Sequence, residues 1–93
     1  MNESRFQRIP ELPFTRVGEQ VLVVVAKTRE VHLLNESAAR IWELLEESET
    51  LDSLVESLGE EYDVDAETAE AQIEAVVAEM RNKGLVQAIP IDR

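Results

Sequence analysis

Residues 31–42 read VHLLNESAARIW, and the pattern changes character in the middle. Val31 to Leu34 alternate as a strand does; from there Ala38, Ile41, Trp42 and Leu45 recur at the i, i+3, i+4, i+7 spacing of an amphipathic helix. Asn35 stands where a helix cap belongs, able to accept a hydrogen bond from a free amide of the first turn, and Glu36 suits the positive end of the helix. A strand therefore runs directly into a capped helix, and the fold has to give that strand a purpose.

Upstream, two more short strands are expected. Phe14 to Val17 stops at Gly18, and Gly18-Glu19 form a turn into the β-branched run Val21 to Ala26, VLVVVA. Lys27 to Arg29 is a polar turn, without proline or glycine, that brings the chain back into Val31 to Leu34. The first dozen residues, with Pro10 among them and Pro13 just after, read as an extended lead-in rather than an element, because each proline biases its predecessor away from helix.

Downstream, Leu51, Leu54, Val55 and Leu58 repeat the helical spacing after a Thr50 cap. A third helix is expected from Ala66 to Lys83, capped by Asp65. Ile73, Val76 and Met80 are read as the centre of its buried stripe and Val77 as its flank. Gly84 fits the left-handed position that ends such a helix and lets Leu85 fold back onto Met80. The segment Leu85 to Ile89 then leaves the helix to lie along a sheet or groove.

Three strands followed by three helices make an α+β domain: a winged helix-turn-helix-like arrangement with a three-stranded antiparallel sheet followed by three helices, each helix covering the sheet or a neighbour with one apolar stripe. The organisation expected is a lead-in over residues 1–12, one domain over 13–88 and a short tail over 89–93.

Composition narrows the chemistry. The chain of 93 residues contains no cysteine and one histidine, which excludes thiolate metal sites and cysteine nucleophiles and leaves zinc little to bind. His32 alternates with Val31 and Leu33 on the third strand, where a half-exposed strand residue or a peptide contact is the more ordinary reading than a catalytic base. No serine has a histidine placed near it on the helices. The segment Asp63 to Glu74, DVDAETAEAQIE, puts acids at the first, third, fifth and twelfth positions of a calcium loop, but Thr68 stands where the sharp turn needs glycine, and the period is helical. No cofactor is implied. Nothing in the N-terminal stretch resembles an export signal, and no apolar run approaches the roughly 20 residues of a spanning helix, so a cytoplasmic location is expected.

The net charge is −11 and uneven: residues 43–93 hold three basic and fifteen acidic groups, a balance of −12. A winged-helix content suggests a DNA-binding transcription regulator as the alternative function, yet LDSLVESLGEEYD, spanning the second helix and the loop after it, has no lysine or arginine to displace counterions from phosphate. The same charge would steer a basic protein partner.

Taken together, Leu34-Asn35-Glu36-Ser37-Ala38-Ala39 with Ile41-Trp42, Thr50-Leu51 with Leu54 and Leu58, Tyr62-Asp63-Val64, and Lys83-Gly84-Leu85-Val86 make the chain similar, over about residues 10 to 88, to the PqqD-like family. That resemblance implies a RiPP recognition element: a non-catalytic domain, not an enzyme, that binds the leader of a ribosomally synthesised precursor peptide and presents it to a modifying enzyme, often a radical SAM enzyme. It implies that the leader adds as a strand to Glu30, Val31, His32, Leu33 and Leu34, in a groove shared with the third helix through Glu70, Glu74, Val77 and Arg81. Val31, Leu33 and Val77 would give apolar selectivity, and Arg29 and Arg81 would fix a leader carboxylate. No nucleic acid or membrane partner is implied, and a homodimer stays open.

Overall fold

The computed structural model describes residues 4–61 and 64–90. Its elements in chain order are β1 (Ser4–Arg8), β2 (Phe14–Val17), β3 (Gln20–Val25), β4 (Glu30–Leu34), α1 (Glu36–Leu44), β5 (Glu49–Thr50), α2 (Leu51–Leu58), a single 3-10 turn (Gly59–Glu61), α3 (Ala66–Asn82) and β6 (Val86–Pro90). The expected antiparallel meander is present, in the order β2-β3-β4, and three helices follow it.

A second three-stranded sheet, β5-β1-β6, accompanies the first. The lead-in is therefore not merely extended: Ser4 to Arg8 pair antiparallel with Pro90 to Val86, and Arg5 and Phe6 pair with Thr50 and Glu49 on the other side. Its proline content points away from helix, but a strand whose partner lies at the far end of the chain carries no local mark. Residues 86–90 accordingly form a strand of this second sheet.

Each helix begins as its cap dictates. The Asn35 side chain accepts from the Ala38 amide at 2.9 Å, Thr50 Oγ1 from Ser53 at 3.1 Å and Asp65 Oδ1 from Thr68 at 2.9 Å. The Asp65 bonds hold its carboxyl below the usual aspartate value. They also commit Asp65 to helix capping, and with α3 starting at Ala66 the calcium-loop reading loses its geometry; Asp63 lies outside the described residues. Gly84, at φ 78°, ends α3 with the Leu85 amide donating to Met80 O at 2.9 Å and the Gly84 amide to Arg81 O at 3.0 Å. This pair of hydrogen bonds is the Schellman arrangement, and it puts Leu85 in the core.

One core joins both sheets to all three helices. Val21, Val23 and Leu34 from the first sheet meet Ile41 and Trp42 of α1 and Leu45 at its C-cap, and these meet Leu54 and Leu58 of α2, Ile73, Val77 and Met80 of α3, and Leu85. On α3 the buried ridge is Ala69, Ile73, Val77 and Met80, whereas Val76 is only half-buried. This reverses the expected assignment of Val76 to the centre and Val77 to the flank. The two valines are adjacent and equally apolar, so the period alone fits either, and the packing of α3 on α2 and β6 decides.

Arg8 fastens the lead-in to the first sheet. Its guanidinium lies 4.8 Å from the Phe14 ring centre and 5.0 Å from that of Trp42, and it donates to the Trp42 carbonyl at 3.2 Å. Phe14 meets Trp42 edge-on, 5.5 Å between centroids.

Candidate functional site

β4 is held in register by β3, with Leu34 opposite Val21, Leu33 opposite Leu22, His32 opposite Val23, Val31 opposite Val24 and Glu30 opposite Val25. No described strand pairs with its other edge. Successive amides and carbonyls of a strand point to alternate sides, so this edge presents a row of backbone donors and acceptors to solvent. Natural sheets usually blunt such an edge with charge or proline. Here two of the three central residues are apolar and exposed: Val31 by 58% and Leu33 by 55%.

The alternation sorts β4 into two faces. Leu34 points into the core beneath α1, with half-buried His32 on the same side; Val31 and Leu33 stand on the opposite face beside half-buried Val24 and Leu22. His32 Nε2 lies 3.3 Å from Glu30 Oε1, and Thr28 Oγ1 lies 3.3 Å from the same oxygen. His32, Glu30 and Thr28 thus form a small polar cluster at the foot of the strand. The strand is clamped at both ends. Asn35 locks its exit into α1, and the turn before it closes through the Thr28 and Arg29 amides, which donate to Val25 and Ala26 carbonyls at 3.2 Å each. Arg29 takes a left-handed φ of 61°, unusual for a residue with a Cβ.

The α3 residues expected to share this edge line a different surface. Glu70, Glu74, Val77 and Arg81 stand along a groove of about 510 Å³ whose far side is Ser4 and Phe6 of β1 together with Thr50, Leu51 and Asp52. None of Arg29 to Leu34 lines it. Val77 contributes from within the core, being 2% exposed. The structure thus gathers Arg29 to Leu34 at one edge and the four α3 residues in one groove, and it does not bring the two sets into a common lining. Phe6, Leu51 and Asp52 were not foreseen as site residues. Nothing in the sequence marks Phe6, since SRFQR is polar on both sides of its single aromatic.

Among the described residues no group of three or more metal-ligating side chains is gathered, and no helix is long and apolar enough to cross a membrane. A charged network joins Arg16 to Arg40 through Glu43 and Arg40 onward to Glu61, with Glu36 beside them. There Glu61 and Arg40 pair at 2.8 Å, which lowers the Glu61 carboxyl, while a hydrogen bond to Glu19 raises that of Glu36.

The family model for coenzyme PQQ synthesis protein D (PqqD) matches residues 19–86, a span that contains β4 and all three helices. No curated protein matches the chain. Among solved structures, TbiB1 in complex with the TbiA(beta) leader peptide is similar at a TM-score of 0.78 and 25% identity, over 87% of this chain and 94% of that one. A lasso peptide synthetase B1 complexed with its leader peptide shares the fold at a TM-score of 0.76 and 24% identity, over 88% of this chain and 96% of that one. With the sequence match running from the turn before β3 to the start of β6, and the fold agreeing over 87% of the chain, the chain belongs to the PqqD family.

Proposed function

We propose that this protein is a non-catalytic peptide-recognition module, a RiPP recognition element that takes the leader of a ribosomally synthesised precursor as an added strand on β4 and presents it to a modifying enzyme of the radical SAM class. The observation that carries this reading is the β4 edge, unpaired among the described strands and flanked by exposed Val31 and Leu33. Strand addition draws its affinity from main-chain hydrogen bonds, which tolerate many sequences, and its selectivity from alternate side chains. Val31 and Leu33 supply those contacts on one face of the added strand, and Arg29 supplies a cation at its end. The likeness to TbiB1, solved with a leader peptide, supports the same use of the fold.

The regulator alternative is not favoured. A winged helix reads DNA with its third helix, and here the exposed surface of α3 carries Glu67, Glu70, Glu74 and Glu79, which repel phosphate. The test is a calorimetric titration of the cognate precursor leader against the native chain and Leu33→Glu. Saturable binding that the charge at position 33 weakens supports the reading, and an unaltered affinity contradicts it.

A further inference from the structure

The groove between α3 and β1 has a composition of its own. Its floor is apolar, built from Phe6, Leu51 and Val77, and its rim carries three carboxylates, Glu70 and Glu74 one turn apart on α3 with Asp52 across from them. Arg81 stands further along α3. None of these four charged groups has an ion-pair partner among the described residues. The positive end of α2 adds little, because Thr50 caps it and Asp52 sits in its first turn. Three unpaired carboxylates around an apolar floor concentrate negative potential in a concavity, and the volume of about 510 Å³ is ample for a few side chains.

We propose that this groove is a second docking site, one that takes a basic segment with a single apolar anchor from the enzyme receiving the peptide. The proposal rests on the assignment of the leader to β4. No β4 residue lines the groove, so a strand added there leaves it accessible and both partners can be held together. A module that hands a peptide to an enzyme requires two surfaces, and the acidic groove complements a basic occupant as the near-neutral β4 edge does not. The anchor would fill the floor over Val77 while lysine or arginine side chains on either side meet the carboxylates.

The probe is a glycine–serine peptide carrying Lys-Leu-Lys, with Glu-Leu-Glu as its counterpart, titrated into the isotope-labelled full chain and followed by amide chemical shifts. The expected result is saturable shifts at Phe6, Leu51 and Glu70 to Arg81 with the lysine peptide only, fading as salt rises. Glu70→Lys with Glu74→Lys should lower that affinity roughly tenfold, and Arg81→Glu should raise it several-fold. Opposite signs from charge changes on one helix separate an electrostatic site from damage to the fold. Equal binding of the glutamate peptide, shifts centred on β4, or no saturable shift overturns the proposal. The precursor leader is titrated onto the doubly reversed variant as well. Unchanged leader affinity is expected; a comparable loss would make the groove part of the leader site and overturn the second-site assignment while leaving strand addition intact. Failure of the leader to bind the native chain would instead remove the reading on which the proposal rests.

Discussion

Leu33 and Leu34 are adjacent in the chain and lie on opposite faces of β4: Leu34 is 3% exposed, packed in the core beneath α1, and Leu33 is 55% exposed beside Leu22. The period of two that separates them divides the strand into a half that holds the fold and a half that is available for binding.

That division is measurable. Leu34→Ala should cost about 2–5 kcal/mol of stability, since it opens a cavity among Val21, Trp42 and their neighbours. Leu33→Ala should change stability by less than ~0.5 kcal/mol, as a surface substitution does, yet weaken leader binding by about 0.5–1 kcal/mol, the worth of a cross-strand contact. Chemical denaturation and calorimetry on the two variants make the comparison.

On α3 the ridge observed predicts an order of costs. Val77→Ala should lose about 1.5–3 kcal/mol, and Val76→Ala, only half-buried, distinctly less. Thermal unfolding of both variants decides it, and equal losses would place the ridge between the two residues.

What the sequence displayed and what it concealed follow from range. The caps at Asn35, Thr50 and Asp65, the stop at Gly84 and the meander from Phe14 to Leu34 rest on contacts between residues close in the chain, and each was readable from its own neighbourhood. The pairing of Ser4–Arg8 with Val86–Pro90 joins the two ends of the chain, and no local pattern announces it. The groove suffers the same loss: Phe6 and Asp52 reach it from β1 and α2, and the α3 residues that line it were expected beside β4 instead. The all-apolar run VLVVV of β3 held one further sign. A strand apolar on both faces expects cover on both, and here the outer face ends in exposed Val31 and Leu33.

Arg29 offers a test of backbone strain. Its φ of 61° costs a residue with a Cβ energy that glycine does not incur. Arg29→Gly should therefore stabilise the protein by about 0.5–1 kcal/mol, the conformational gain being partly offset by the freer unfolded chain. A rise in melting temperature checks the first half. If Arg29 also fixes a leader carboxylate, the same variant should bind an acidic leader less tightly.

Glu19 and Glu36 give a dependence on pH. The hydrogen bond and charge of Glu19, ahead of desolvation and the charge of Glu61, raise the Glu36 carboxyl above the ordinary value of 4.5. A folded-state value above the unfolded one means that this pair stabilises least when both groups are ionised, and that the deficit closes as pH falls through the raised value towards 4.5. Glu19→Gln should raise the melting temperature at neutral pH, with the difference from the native chain disappearing below the glutamate range. A difference that persisted or grew on acidification would contradict the pairing.

Amide hydrogen exchange across β4 tests strand addition most directly. The outward-pointing amides of Glu30 to Leu34 have no described partner strand, so in the free protein they should exchange faster than those bonded to β3. On saturation with the precursor leader, the outward set should become protected while the inward set changes little. Proline at His32 and at Leu33 separates the same two sets, because neighbouring amides point to opposite sides: one substitution should disturb the sheet, and the other should abolish binding in a chain that stays folded. Saturable leader binding with no new protection of the outward β4 amides would contradict the account.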